Sequence, residues 1–253
     1  MTAPLHDRHA FVTGASRGIG AAIARKLVEH GARVTLIGRH RAALEQIADE
    51  LGARARIAVA DVTDREQVEA AVRAAGDDID ILVNNAGQAA TAPFLRTDDA
   101  LWRSMLGVNL DGAYYATQAV LPGMVERGFG RIVNIASTAG LTGYAYCTAY
   151  CAAKHALIGL TRALAREVAG RAITVNAVCP GFTDTDLVRD AVTKIREKTG
   201  RTASEALATL VAHNPQGRLI RPEEVAHTVL WLCLPDSASI TGQSIAIAGG
   251  EVV

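Results

Sequence analysis

Aromatic residues make up only 4% of the 253-residue sequence, although 49% of it is hydrophobic. Ala, Val, Ile and Leu therefore supply the apolar bulk, which suits a sheet between close-packed helices better than an aromatic-lined barrel. Excess charge of either sign is also missing: 26 Lys and Arg balance 26 Asp and Glu. Nucleic acid and acidic membranes thus find no global field to bind, and no run of five basic residues occurs. The four cysteines, Cys147, Cys151, Cys179 and Cys233, form no CxxC pair and no zinc-like spacing with the seven histidines. They read as small buried hydrophobes. No stretch of about 18 apolar residues is available to cross a bilayer, and the opening Met1-Thr2-Ala3-Pro4-Leu5 lacks an apolar signal region. These absences predict a soluble, reduced, cytoplasmic protein with no metal, no nucleic acid and no membrane.

What is present is a rhythm. Strand patterns at His9–Thr13, Arg33–Ile37, Arg56–Ala60, Ile79–Val83, Arg131–Ile135, Thr174–Val178 and Ser244–Ala248 alternate with amphipathic helix patterns. The helices are expected at Ile19–His30, Arg41–Leu51, Arg65–Ala75, Asp98–Arg127 (broken near Gly112 and Pro122), Thr148–Ala169 and Pro222–Leu234. Strands separated by one helix each require parallel pairing through right-handed crossovers. The chain 1–253 therefore reads as a single α/β doubly wound Rossmann-type domain, an about seven-stranded parallel sheet with helices on both faces. Residues 183–221 break the rhythm and read as a helical substrate lid.

The first strand runs into Thr13-Gly14-Ala15-Ser16-Arg17-Gly18-Ile19-Gly20, which opens the first helix. Glycines let a phosphate approach backbone N–H groups, and the helix N-terminus adds partial positive charge. The same glycines also serve tight turns for purely steric reasons. After the second strand, NAD-binding chains usually place an acid against the ribose hydroxyls. Here Leu36-Ile37-Gly38-Arg39-His40-Arg41 offers Arg39 instead, with Arg17 nearby in the turn. Guanidinium groups suit a 2′-phosphate, so NADP(H) is favoured and NAD(H) remains possible.

Tyr150 and Lys154 stand four apart in a helical pattern and share a face. A phenol titrates near 10, too high for proton exchange at neutrality, and a neighbouring ammonium is expected to bring it down. Ser137, at the end of the fifth strand, falls where open α/β sheets hold their ligands. Asn84-Asn85-Ala86-Gly87 ends the fourth strand, and Asn109 lies on the following helix. Each of these residues, taken alone, also reads as a turn, cap or kink former.

Taken together, Thr13-Gly14-x-x-x-Gly18-x-Gly20, Asp61-Val62, Asn84-Asn85-Ala86-Gly87, Asn109, Ser137, Tyr150-x-x-x-Lys154 and Pro180-Gly181 resemble the short-chain dehydrogenase/reductase family almost end to end. The resemblance implies roles. Gly14, Ser16, Arg17, Gly18, Ile19 and Gly20 would hold the cofactor phosphates, with Arg39 beside the ribose. Asp61 would bind the adenine amino group, with Val62 following by backbone contact. Asn85, Ala86 and Gly87 would pack on the adenosine side. Ser137 would polarise the carbonyl, and Tyr150 would pass the proton. Lys154 would hold the nicotinamide ribose, Asn109 would hold a water, and Pro180, Gly181, Thr183 and Thr185 would border the nicotinamide. A homotetramer built partly on the helices of 101–127 and 148–169 is also implied.

The segment Asn176–Thr183 and the lid's length resemble 3-oxoacyl-thioester and polyketide ketoreductases. The implied substrate is a small-molecule carbonyl or alcohol, CoA- or carrier-protein-linked. Arg189, Lys194, Arg196, Lys198 and Arg201 could grip its phosphates, or equally form a solvated helix face. Leu141, Tyr144 and Tyr146 are candidates for the pocket lining. Three other readings compete: an NAD(H)-dependent dehydrogenase of a cyclic, sugar or steroid-like alcohol, an epimerase or dehydratase with tightly held NAD, and a non-catalytic cofactor sensor. The epimerase type usually has a G-x-x-G-x-x-G turn and a larger C-terminal domain, and this sequence has neither.

Overall fold

Short β-branched runs with apolar side chains on both faces need cover on both sides. The chain provides that cover by placing a helix after nearly every strand. A computed structural model describes residues 3–76 and 78–252. Its strands are β1 (His9–Thr13), β2 (Arg33–Gly38), β3 (Ala55–Val59), β4 (Ile81–Asn84), β5 (Gly130–Ile135), β6 (Ile173–Pro180) and β7 (Ser244–Ile247). They form one sheet in the order β3-β2-β1-β4-β5-β6-β7, every pair parallel. The register sets Ala10 beside Ile81 and Val83 beside Val133.

Alternate residues serve opposite faces. Val12, Leu36, Val83 and Val133 face α1 (Gly18–Glu29), α2 (Arg41–Leu51) and α9 (Pro222–Cys233). Phe11, Ile37, Leu82 and Ile132 face α3 (Arg65–Ala75), α5 (Gly112–Arg127) and α6 (Thr148–Val168). Both layers are dry and aliphatic. Local chemistry sets the helix starts: Asp64 caps α3 at Gln67 N, and Asp98 caps α4 (Asp99–Leu106) at Leu101 N.

The break expected near Gly112 is a π-helical turn over Gly107–Asp111, directly before Gly112, and it carries Asn109. Two details differ from the sequence expectation. Pro122 interrupts nothing, because α5 runs through it unbroken. The fourth strand also begins two residues later than expected, at Ile81. Between β6 and α9 the chain forms α7 (Asp186–Thr199) and α8 (Ala203–Val211), the latter opened by a Thr202/Glu205 capping box. Among the described residues, no helix is long and apolar enough to cross a membrane.

Candidate active site

The strand order reverses between β1 and β4, and the crevice beyond their carboxyl ends is where open α/β sheets receive ligands. The turn from β1 into α1 sits there. Gly14 and Gly18 adopt φ of +65° and +54°, values that side-chain-bearing residues rarely take. Gly20 is required for a different reason: a Cβ there would lie 2.3 Å from the Gly14 carbonyl oxygen. The N-terminus of α1 has no side-chain cap and no acid in its first turn, so its amides are not served from within. That donor set fits the phosphates of a dinucleotide.

Asn85 holds this turn in place. Its Nδ2 donates to the carbonyls of Thr13 (2.9 Å) and Gly14 (3.1 Å), while Thr13 Oγ1 accepts from the amides of Asn85 and Ala86. Thr13, which ends β1 and opens the glycine-rich motif, is therefore the clasp between β1 and β4. Asp61 accepts from the Thr63 amide and hydroxyl at 3.0 and 2.8 Å. Burial acts to raise its pKa, but the Thr63 hydrogen bonds and Arg39 outweigh it and hold the carboxyl below its ordinary range. Arg39 leans over Asp61 at 3.7 Å, and Arg17 reaches across to Asp186 at 3.3 Å. Both guanidiniums are largely exposed and engaged only at the surface. Val62 is buried where a Cβ on Gly112 would meet it at 2.9 Å.

The proton-handling side chains meet at the ends of β5 and β6. Tyr150 and Lys154 project from the first turns of α6, with Lys154 Nζ 5.7 Å from the Tyr150 ring centroid and donating to the Ile135 carbonyl at 2.9 Å. Tyr150 hydrogen-bonds Ser137, whose Oγ also accepts from the Ala139 amide at 3.1 Å. Gly87 lies close by, where a Cβ would stand 2.9 Å from Asn109 Oδ1 and 3.6 Å from Lys154 Nζ. The Asn109 side chain itself is bound to the backbone, donating to Gln88 O and Met105 O and accepting from Gln88 N.

The expected acidification of the phenol does not appear. Burial pushes Tyr150 up to about 12, the Ser137 hydrogen bond opposes this, and the thiols of Cys147, Cys151 and Cys179 add to the rise. Burial likewise draws Lys154 down to about 8. Lys154 is buried while Tyr150 keeps part of its surface exposed to the crevice, and each group resists its charged form. The protein's own residues thus leave the phenol protonated at neutral pH, the state needed to donate a proton.

Pro180 ends β6 buried, followed by Gly181. Thr183 Oγ1 donates to the Gly181 carbonyl, and Thr185 Oγ1 donates to that of Thr183. The Thr185 methyl would meet a Cβ on Gly18 at 3.2 Å, so the start of α7 closes over the glycine turn. Of the proposed lining residues, Tyr146 stands 65% exposed, whereas Tyr144 turns inward and donates to Glu251 at 2.5 Å. Sequence spacing gave no signal for that contact. Lys194, Arg196 and Lys198 lie exposed on α7, and Arg189 is paired with Asp184 and Asp186.

Residues 8–196 match the family model for short chain dehydrogenase. The chain is 41% identical to a 3-oxoacyl-[acyl-carrier-protein] reductase of Vibrio harveyi, over 97% of this chain and 98% of that one. It is 43% identical to a galactitol 2-dehydrogenase (L-tagatose-forming) of Cereibacter sphaeroides, over 96% and 94%. Among solved structures, a variant actinorhodin polyketide ketoreductase crystallised with NADPH superposes with a TM-score of 0.93 at 37% identity, covering 99% of each chain.

Proposed function

The chain belongs to the short chain dehydrogenase family, and we propose that within it this protein is a cytoplasmic, NADP(H)-dependent reductase of 3-oxoacyl thioesters. Membership makes it an oxidoreductase acting between a nicotinamide cofactor and a ketone or secondary alcohol. The observation that carries the reading is the convergence of Tyr150, Ser137 and Lys154 at the carboxyl end of β5.

The cofactor, when bound, supplies the hydride. Gly14, Ser16, Arg17, Gly18, Ile19 and Gly20 would hold its phosphates, and Arg39 would be the guanidinium available to a 2′-phosphate. Asp61 and Val62, with Asn85, Ala86 and Gly87, border the adenosine half. Pro180, Gly181, Thr183 and Thr185 border the other. Ser137 hydrogen-bonds the substrate oxygen and holds it beside the Tyr150 hydroxyl, which donates its proton as charge develops on that oxygen. Lys154, still an ammonium below about pH 8, then favours the phenolate left behind. Asn109, on the π-helical turn, would hold a water linking Lys154 to solvent. Residues 183–221 act as a lid over the crevice. A homotetramer would cover the exposed Trp102 and Tyr114 of α4 and α5, and light scattering measures that state.

Acetoacetyl-CoA offered with NADPH and then with NADH, followed by nicotinamide absorbance, tests both halves of the proposal. Turnover of the thioester no better than of a simple free ketone overturns the substrate class, and equal use of NADH overturns the cofactor choice. A second reading, a dehydrogenase of polyols, draws on the 43% identity to the galactitol enzyme. It predicts oxidation of galactitol outpacing thioester reduction.

A further inference from the structure

The reductase machinery leaves one carboxylate at the crevice without a role. Glu251 follows a turn through Gly249 and Gly250, whose φ values of +62° and +93° suit glycine alone. The turn is seated tightly. A Cβ on Gly249 would lie 2.1 Å from Asn214 Oδ1, and one on Gly250 would lie 3.2 Å from Pro215. Asn214 is itself buried, donating to Arg218 O and accepting from Gln216 N at 2.8 Å each.

The turn aims Glu251 back between the ends of β5 and β6. Oε1 accepts from the Tyr144 hydroxyl at 2.5 Å, and the Thr138 hydroxyl lies 2.9 Å from the same phenol oxygen. Oε2 rests over Gly181, where a Cβ would meet it at 2.8 Å. Thr138 adjoins Ser137, which would hold the substrate oxygen, and Gly181 is among the residues bordering the nicotinamide, so the carboxylate lies at the crevice where ketone and nicotinamide would meet. Glu251 keeps part of its surface exposed, and no cation pairs with it among the described residues.

We propose that Glu251 determines specificity: its negative charge, fixed by Tyr144 and Gly181, selects ketones that are neutral near the carbonyl and turns away those bearing their own carboxylate. This deepens the reductase reading and rests on it. A thioester or ester passes; the corresponding free 3-oxo acid does not. The physical cause is like-charge repulsion across a few ångströms of partly dry crevice.

The test compares ethyl acetoacetate with acetoacetate, binding of each being followed by ligand line broadening in NMR. Wild type is expected to prefer the ester, and Glu251→Gln, which keeps an acceptor for Tyr144, to lower that preference roughly tenfold. Glu251→Asp should retain the preference, because the charge survives. With no variant at all, added salt should shrink the wild-type preference, as screening requires. An ester-to-acid ratio unmoved by both Glu251→Gln and salt overturns the proposal. Turnover of the ester is measured separately. Its absence overturns the reductase reading, while the binding ratio continues to test Glu251.

Discussion

The two ends of the sheet both bury ionisable side chains, and they treat them differently. At the amino ends, His9 bonds Asp78 and Thr35, Arg8 pairs with Asp80, and Arg131 donates to the carbonyls of Gly130 and Ala172 while stacking with Arg8 on Phe129. Carboxylates accompany His9 and Arg8 there, whereas Arg131 has only carbonyls and the Phe129 ring, and its Nε is buried without a hydrogen-bond partner. At the carboxyl ends, Lys154 is equally buried, yet burial is the chief influence on it and only the Cys179 thiol opposes that effect. Among the described residues no carboxylate acts on it. A lone buried ammonium costs stability, and folds keep one where chemistry needs it. The same sheet thus holds a structural end, where Asp78 and Asp80 sit among the basic side chains, and a working end, where no carboxylate among the described residues accompanies Lys154.

The sharpest way to break this comparison is Tyr150→Phe. Loss of the one proton donor should lower kcat by about 10³-fold or more, with cofactor affinity, read by fluorescence titration, changed little. A variant that keeps appreciable turnover would remove the working end from the argument.

Next in size is a pair of substitutions with opposite expected signs. Lys154→Met removes an unpaired buried charge, so it should raise thermal stability, by up to about 3 kcal/mol, while lowering turnover at least about 10²-fold. Asp80→Ala removes a carboxylate that accepts from the His9 amide and pairs with Arg8, so it should lower stability by about 2 kcal/mol. Unfolding midpoints measured side by side decide the matter, and like signs would erase the distinction between the two ends.

Much of this was legible before any coordinates, and unevenly so. The glycine turn, the strand alternation and the Tyr150–Lys154 spacing are local patterns, and local patterns survive in sequence. The Thr13 clasp joins residues about seventy positions apart, and the Tyr144–Glu251 contact spans more than a hundred. Neither leaves a periodic trace. The phenol's acidity was misjudged for a related reason. The spacing puts an ammonium near Tyr150 but gives no measure of how far burial disfavours charge on each group, and burial is the largest influence on both. Pro122 was read as a break because an interior proline usually costs a helix a hydrogen bond, a cost that α5 absorbs without interruption.

The smallest expected effect belongs to the structural end. His9 has its pKa lowered from 6.5 to about 4, first by burial and then by Arg33, against the pull of Asp80. A histidine depressed in the fold binds its proton more readily when unfolded. Its contribution to stability is therefore complete above pH 6.5 and drains away as the pH falls toward 4. Thermal midpoints should drift down by a few degrees across that window, and His9→Gln should flatten this part of the slope. Lys154 follows the same rule in another window: its pKa is depressed from 10.5 to about 8, so the strain it imposes at neutrality should ease as pH rises between those values. If stability instead fell steadily from pH 8 to 10 in wild type but not in Lys154→Met, Lys154 would have an uncounted counterion, and the two ends would be alike.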